Sequence, residues 1–523
     1  MAKARLNVIG LLLIFWQQMV AGLADADAVE QLQGLTAKQV MTRTERCVAE
    51  HQIVTQLSMK TVDKSIHYDL SIAPNRGQLS WMIRLNLTKS AFEETDRQYE
   101  AAGFKITVSD SVRLGRERYY CGVWGRSPEV PVPLVLPDSP VPVSGEPVEQ
   151  LFAVDALMTG FLKEHNVAGA TVAIGYEGQL LYSRGFGWAD VEQQTPMLPN
   201  AVMRIGSISK PLTAVAVMRL VEEGRLELDD KVMPLLKSAG YKRPADERWN
   251  QITVRHLLQH RGGWDRDESQ DPMFLTGPAR EALKLKRSPT ARDMVKWQLQ
   301  QPLDFNPGVR EAYGNFGYCV LGRLIEELSG QSYAECLAEQ VLEPADMNHT
   351  QLAMTRIQDR RADEVRYHMQ NQKHVLAVWS LFPDQRGRFD PQVVAEPYGK
   401  WDIEVMNANA GLLSTSPDLI RFSSALFDND SQMLSPETRT VMLKRSGQAN
   451  DARGYWYGCG WNARRAGADD MDVWHYGALE GSASLLMRRW DGYTWAVLFN
   501  TDRSANGERL AGLIDPLMYR AIH

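Results

Sequence analysis

Ser207 and Lys210 form a Ser-x-x-Lys motif where a loop, Arg204-Ile205-Gly206, leads into a stretch of helical character, 211–223. Helical phase places the two side chains on the same face, one turn apart. A lysine amine there can accept the serine proton or hold another base that does so, and a helix N-terminus favours negative charge nearby. The motif therefore predicts an activated serine nucleophile.

The segment after the motif must hold this serine in place, and its pattern indicates a buried helix. Apolar side chains recur along one stripe, and Gly224 supplies the signal for the helix end. The stripe consists of Leu212, Val215, Val217, Leu220 and Val221. Ser207 is therefore expected at the entrance to a buried helix.

A second candidate segment is Tyr313-Gly314-Asn315, which opens a helix expected to end at Ser329-Gly330. A lysine ammonium stabilises a neighbouring phenolate, so Tyr313 is expected to relay protons near neutral pH. The Asn315 amide can donate to a substrate carbonyl. Tyr313 and Lys210 are both candidates for the general base, and the choice stays open because coupled titrations belong to the cluster.

The third candidate is the glycine-punctuated strand 474–481, just before a C-terminal hairpin. Gly477 lets a substrate lie along the strand edge, and the backbone N–H of Ala478 is expected to join that of Ser207 in an oxyanion hole. His475 is expected to line the same cleft. If His475 must be neutral, activity should fall below about pH 6.

Other patterns exclude several chemistries. His256 and His260 lie one helical turn apart, but Leu257 stands where a zinc protease needs glutamate, so both histidines are expected to be structural. No serine lies in Gly-x-Ser-x-Gly, the nucleophile elbow of α/β-hydrolases. The five cysteines contain no Cys-x-x-Cys pair, so neither a metal nor a cofactor is expected. The sequence does not decide whether Cys47 and Cys121 form a disulfide. The other three cysteines are expected to be buried.

Length and composition set the broad class. A chain of 523 residues exceeds one ordinary core, so two folded units are expected. Its 44% hydrophobic and 23% charged residues are typical of globular proteins. The net charge of -6 gives no excess of positive charge for binding phosphates, so nucleic acid is not an expected partner.

Residues 1–28 carry the pattern of an export signal peptide. Lys3 and Arg5 precede an apolar run, 6–16, and small residues follow it. The run is too short to span a bilayer as a mature helix. We expect an exported protein, periplasmic or secreted, with no stable membrane span after signal removal; a short membrane anchor is the alternative.

Residues 29–126 are expected to form an N-terminal α+β repeat domain, joined by a proline-rich linker at 127–147 to the rest of the chain. Two pairs of alternating segments each follow a helix-capable stretch and indicate a two-copy helix-and-hairpin repeat. The pairs are 66–72 with 79–87 and 104–108 with 118–124.

This N-terminal region carries a short likeness to a known domain. The residues Ala102-Gly103-Phe104, Arg118-Tyr119 and Val123-Trp124 resemble the repeat domain that precedes the catalytic domain in polyglycine hydrolases. Two roles stay open for it: contact with substrate or cell wall, and an accessory role in packing or folding.

Residues 148–523 are expected to form a second domain of α/β (α+β) class. Hairpin signals occur at both of its ends, at Glu177-Gly178 and Asp491-Gly492, with long helices between them. A single antiparallel sheet made from the two ends, flanked by helices and carrying a mainly helical subdomain, accounts for that order.

Six segments occur here in the order found in class C β-lactamases and penicillin-binding proteins, and the region resembles that family of serine hydrolases. They are Arg204 to Pro211, Ile252 to His260, Pro307-Gly308, Tyr313 to Asn315, Gly411 to Thr415 with Asp418-Leu419, and His475 to Gly481. The resemblance implies Ser207 as the acylated nucleophile, with Lys210 and Tyr313 as its proton-transfer partners. It also implies an oxyanion hole from the amides of Ser207 and Ala478.

One departure from the family pattern bears on the substrate. β-Lactamases of this family usually carry Lys-Thr-Gly where this chain has His475-Tyr476-Gly477, so a fixed positive charge for a substrate carboxylate is missing. The bulk of Tyr476 is expected to narrow the cleft. The expected function is a serine esterase or peptidase acting on a small ester, amide or peptide. A β-lactamase or penicillin-binding protein, and a non-catalytic protein that binds peptide or cell wall, are the alternatives.

Overall fold

A computed structural model describes residues 30–76, 79–127, 130–285, 287–381, 392–428, 433–446, 454–467 and 470–522. The predicted signal peptide, 1–28, lies outside these ranges. The chain divides into two units, Met1–Val130 with Ser380–Val394, and Pro131–Trp379 with Ala395–His523. None of the helices in the described ranges is both long and apolar enough to cross a membrane.

The first unit repeats one order of elements twice. The first copy contains β1 (Glu30–Leu35), α1 (Ala37–Ala49), β2 (Gln52–Val62) and β3 (Ser65–Pro74). The second contains β4 (Ser80–Leu87), α2 (Lys89–Ala101), β5 (Lys105–Leu114) and β6 (Glu117–Arg126). Each copy forms a three-stranded antiparallel sheet with its last strand in the middle, ordered β1-β3-β2 and β4-β6-β5.

The predicted pairing of 66–72 with 79–87 is wrong. The strand containing 66–72 is β3, which pairs with β1 and β2, whereas β4 pairs with β6. The turn that joins β2 to β3 is Asp63-Lys64, whose φ angles of 46° and 60° suit a two-residue hairpin turn without glycine. Alternation identifies a strand but not its partner, and this turn carries no glycine signal. The other predicted hairpin is present as β5 and β6.

All five cysteines are free and buried. The disulfide that the sequence allows between Cys47 and Cys121 is therefore absent. Both thiols belong to the hydrophobic core of the first unit, where they pack with Val54, Leu70 and Val123.

From Val132 onward the strands are β7 (Val132–Pro133), β8 (Val143–Ser144), β9 (Gly169–Tyr176), β10 (Gln179–Asp190), β11 (Thr195–Pro196), β12 (Met203–Arg204), β13 (Gln351–Leu352), β14 (Asn371–Gln372), β15 (His374–Leu376), β16 (Val393–Ala395), β17 (Leu412–Ser414), β18 (Trp456–Tyr457), β19 (Asn462–Arg465), β20 (Met471–Leu479), β21 (Ser482–Arg488) and β22 (Tyr493–Phe499). The α-helices are α3 (Phe152–His165), α4 (Ser209–Glu222), α5 (Val232–Ser238), α6 (Val254–Leu258), α7 (Thr276–Ala282), α8 (Ala291–Gln298), α9 (Phe316–Ser329), α10 (Tyr333–Leu337), α11 (Ser416–Phe427), α12 (Pro436–Leu443) and α13 (Leu510–Ala521).

A nine-stranded sheet joins the two ends of the second unit. Its order is β11-β10-β9-β22-β21-β20-β19-β18, with β8 added beside β10. The predicted hairpins around Glu177-Gly178 and Asp491-Gly492 are present, and β9 pairs with β22 with Val172 opposite Val497. The prediction of one sheet made from both ends, with helices inserted between them, is therefore confirmed.

Alternate residues of each strand point to opposite sides of this sheet, and both sides are buried. On one face Val172 and Ile174 pack with α3 and α13. On the other face Ala173 belongs to the larger core, which includes the buried residues of α4 and α9. Helices therefore hold the sheet from both sides, and α4 lies on the side of the inserted helical region.

The proline-rich stretch adds short strands to the second unit. β7 pairs with β14, and β8 pairs with β10 opposite Gly185 and Phe186. Such edge positions tolerate proline because they leave its missing N–H outside the ladder.

Candidate active site

Ser207 lies in a 3-10 turn, Gly206–Ile208, between β12 and α4. Gly206 has a φ of 50°, which glycine adopts without strain. Ile205, Gly206 and Ile208 are buried, whereas Ser207 is partly exposed. The turn therefore presents one hydroxyl at the end of a buried helix, where the sequence predicts it.

Strand β20 lies directly against this turn. A Cβ on Gly477 would lie 2.0 Å from the Ile205 carbonyl oxygen, so only glycine fits there. The Ser484 hydroxyl donates to the same carbonyl at 2.8 Å. A Cβ on Gly206 would lie 2.7 Å from the Ala478 nitrogen, which places the Ala478 amide beside the nucleophile turn. β20 pairs with β19 only along 471–474, so its outer edge from 475 to 479 has no strand partner in the described ranges.

The Lys210 amine is fully buried and has three oxygen atoms around it. Its Nζ lies 3.0 Å from the Ser207 Oγ, 2.7 Å from the Asn315 Oδ1 and 3.0 Å from the Asn409 carbonyl oxygen. Burial lowers the pKa of Lys210 to about 7, and Arg266 lowers it further against the opposing effect of Asp271. The amine is therefore able to hold or release a proton near neutral pH.

Tyr313 belongs to the same cluster, but its phenol is neutral. The Lys210 Nζ lies 4.9 Å from the centre of its ring. Burial raises the pKa of Tyr313 to about 12, although a hydrogen bond with Ser207 and the charge of Arg266 act in the opposite direction. The expectation of a phenolate at Tyr313 is therefore corrected. Burial of the phenol has a larger effect on its pKa than the nearby positive charge, so Tyr313 is a proton donor here.

Asp271 completes the cluster and was missed in the sequence. Its Oδ2 accepts a hydrogen bond of 2.6 Å from the Asn315 backbone nitrogen, and its Oδ1 accepts one of 3.0 Å from Met273. The carboxylate thus fixes the start of the segment that carries Asn315. The Asn315 side-chain oxygen accepts from Lys210, so this side chain positions the amine in addition to its predicted contact with substrate.

His475 does not line an open cleft, which corrects the expectation for this residue. It is 1% exposed. Its Nδ1 donates to the Tyr476 carbonyl at 2.7 Å, so its Nε2 accepts from the Tyr457 hydroxyl at 3.0 Å. Burial and then Lys210 lower the pKa of His475 to about 3, so its titration cannot produce an acid limb near pH 6.

Tyr476 also differs from its predicted role. Its hydroxyl donates to the Asp515 carboxylate of α13 at 2.5 Å, and its ring packs with the core on the α3 and α13 side of the sheet. Successive residues of a strand point to opposite faces, so the side chain extends away from the His475 and Gly477 face. It does not narrow the cleft.

Of the two structural histidines, one lies at the site. His256 caps α6 together with Thr253. The His260 ring lies 4.3 Å from the Tyr313 ring, and burial keeps the pKa of His260 well below its usual value. His260 therefore supports Tyr313 as a neutral packing partner. Within the described ranges, no group of three or more His, Cys, Asp or Glu side chains is arranged to hold a metal ion.

Arg204 anchors the strand that leads to the nucleophile. Its guanidinium is buried, donates to the carbonyls of Pro397 at 2.5 Å and Met354 at 2.9 Å, and lies 4.6 Å from the Tyr367 ring centre. The Glu364 carboxylate, equally buried, lies 3.8 Å away. This arginine therefore ties β12 to segments distant in sequence.

We expect Arg204→Met to lower the free energy of unfolding by about 3 to 5 kcal/mol, because Glu364 would stay buried without its partner charge. Urea denaturation measures the change. Glu364→Gln is the matched control and should cost less, because Arg204 keeps its carbonyl acceptors at Pro397 and Met354. The amide oxygen of the glutamine still accepts from Tyr367, which donates to Glu364 at 2.7 Å. A loss below about 1 kcal/mol for Arg204→Met would contradict the anchoring role.

Comparison with known proteins places this fold and site in a family. The family model described as Beta-lactamase matches residues 154–516, so the chain belongs to the Beta-lactamase family, a family of serine hydrolases. Penicillin-binding protein 4* of Bacillus subtilis (strain 168) is 26% identical over 331 residues, which cover 62% of this chain and 66% of that protein. The chain thus spans just under two thirds of this relative's length.

Solved structures agree with this assignment. The octameric penicillin-binding protein homologue from Pyrococcus abyssi has a TM-score of 0.52 at 26% identity, over 70% of this chain and 77% of that one. The D-amino acid amidase from Ochrobactrum anthropi SV3 has a TM-score of 0.53 at 22% identity, over 72% and 99% of the two chains. The second likeness shows the fold alone. The predicted fold class and family are confirmed.

Proposed function

We propose that this protein hydrolyses small esters, amides or peptides through a covalent acyl-enzyme on Ser207. The hydrogen-bond arrangement at Lys210 carries the proposal. A neutral amine has two N–H donors and one lone pair, and the Asn315 and Asn409 oxygens account for both donors. In this neutral form the lone pair faces the Ser207 hydroxyl, 3.0 Å away, whereas the ammonium form donates to all three oxygens. Lys210 is the general base in this proposal.

Acylation follows from these positions. The Ser207 proton passes to Lys210 as the serine oxygen attacks the acyl carbon, and the N–H groups of Ser207 and Ala478 stabilise the oxyanion. When the intermediate collapses, the leaving group takes a proton from the neutral Tyr313 phenol, which recovers one from the Lys210 ammonium. Water repeats the sequence on the acyl-enzyme, with Lys210 accepting its proton, and Ser207 is released.

The proposed substrates are esters, amides and peptides rather than β-lactams. The position usually held by lysine in β-lactamases of this family is occupied by His475, which is buried and whose pKa burial lowers to about 3. The strand therefore offers no fixed cation at this point, and efficient β-lactam hydrolysis is not proposed. Export remains part of the proposal on the sequence pattern of residues 1–28.

Adduct mapping tests the proposal. The purified protein is treated with a fluorophosphonate, digested, and analysed by mass spectrometry. We expect one adduct per chain, on Ser207 and not on Ser209, whose hydroxyl is buried and donates to the Gly206 carbonyl at 2.7 Å. An unmodified Ser207 under conditions that label a known serine hydrolase would overturn the proposed function.

A further inference from the structure

An exposed cation lies beside Tyr313. The Arg266 guanidinium carbon lies 5.5 Å from the centre of the Tyr313 ring, and the side chain is exposed. Its neighbour Arg310 forms ion pairs with Asp265 and Glu268. Arg266 forms no ion pair or hydrogen bond through its guanidinium with any residue that the structure describes. Its charge also acts on the Asp265 and Asp271 carboxylates, while the exposed guanidinium stays accessible to a molecule that enters the site.

A second arginine acts on the same phenol from another element. Arg509 is exposed, immediately precedes α13, and lowers the pKa of Tyr313, as Arg266 does. It too has no ion-pair partner among the described residues. The two side chains come from segments far apart in the sequence of the second unit.

We propose that Arg266 makes the site prefer substrates that carry a negatively charged group, such as a carboxylate, close to the scissile acyl bond. The inference rests on the hydrolase function proposed above. In the sequence, His475 indicates the loss of a fixed charge for such a group. In the structure, Arg266 offers a positive charge beside the Tyr313 ring, at a position outside the strand. Anionic esters and peptides with a free carboxylate would be attracted by this positive charge.

The expected effect is moderate because both arginines are exposed. A unit charge several ångströms from an anion in a partly aqueous cleft changes its binding by about threefold to tenfold, and salt screens this attraction. The effect should appear in the choice between charged and neutral substrates. The ratio of kcat/KM values isolates it, because a change in the nucleophile or its base alters both substrates alike.

Two matched ester pairs test the proposal. In one, 4-acetoxybenzoate is compared with its methyl ester, so the charge lies on the leaving group. In the other, the 4-nitrophenyl monoester of adipic acid is compared with 4-nitrophenyl hexanoate, so the charge lies on the acyl group. We expect Arg266→Gln to lower the anionic-to-neutral ratio of at least one pair about threefold to tenfold. Adding Arg509→Gln should lower the ratio further, and about 0.5 M NaCl should lower the wild-type ratio.

Arg243→Gln is the control, because this exposed arginine pairs with Glu247 and makes the same change in net charge. It should leave both ratios unchanged. Equal ratios in the wild type, Arg266→Gln and the double variant would overturn the inference while Ser207 labelling and neutral-ester hydrolysis still upheld the proposed function. A protein that neither labels at Ser207 nor hydrolyses any of the four esters would overturn both.

Discussion

Ser207→Ala is expected to remove all fluorophosphonate labelling and to lower ester turnover by about 10⁴-fold or more, with the fold retained. The change deletes one partly exposed hydroxyl and leaves the buried residues on either side of it in place. Turnover is followed with a chromogenic acyl ester, and folding by circular dichroism and urea denaturation. The loss should exceed that from any supporting residue because no other group in the turn offers a nucleophile.

Ser209→Ala is the matched control, since it deletes a hydroxyl two residues away in the same motif. This hydroxyl donates to the Gly206 carbonyl at 2.7 Å and accepts from the Leu412 nitrogen at 3.3 Å, so its loss should reduce stability. The adduct at Ser207 should still form. If Ser207→Ala kept the wild-type rate of ester hydrolysis, the nucleophile would have to be another residue.

Much of the fold was predictable because it depends on local signals. Glu177-Gly178 and Asp491-Gly492 identify two hairpins, and the pairing of β9 with β22 then follows from both hairpins lying in one domain. Pairing between distant segments was harder. The Asp63-Lys64 turn contains no glycine, so segment 66–72 was paired with 79–87 and its true partner β2 was missed.

The site was predictable where spacing fixes geometry. Three residues of helical spacing place Lys210 beside Ser207, and no tertiary information is needed for that. Protonation states were not predictable. The pKa of Tyr313 depends on how much water reaches its hydroxyl, and burial raises it where charge alone would lower it.

Residues that act from loops were missed for a related reason. Asp271 and Arg266 lie in a connection without periodic pattern, and neither belongs to a motif with a known spacing. Their roles depend on contacts with residues that are distant in the sequence. Asp271 meets the Asn315 backbone, and Arg266 meets the Tyr313 ring. Sequence patterns identify the reacting groups, whereas the surrounding field is a property of the assembled structure.

The pH profile of hydrolysis should follow Lys210. Burial lowers the pKa of this lysine to about 7, and the base must be neutral to accept the serine proton. We therefore expect kcat/KM to fall about tenfold for each pH unit below pH 7 and to level off above it. His475→Gln should keep this limb, because burial lowers the pKa of His475 to about 3. If the fall in kcat/KM below pH 7 disappeared in His475→Gln, the titrating group would be the histidine.

Lys210→Met should lower kcat/KM by about 10³-fold or more, abolish the acid limb of the pH profile, and remove the pH dependence of stability that Lys210 contributes. A lysine in the unfolded chain has its ordinary pKa of 10.5, whereas burial lowers the pKa of the folded one to about 7, so between these values the unfolded state binds the additional proton. Stability of the wild type therefore rises with pH across this window, and the methionine variant should lose that contribution. Urea denaturation of both proteins at about pH 7 and 9 measures the difference. An equal pH dependence in the two would show that Lys210 is charged in the folded protein, and the proposed base would be wrong.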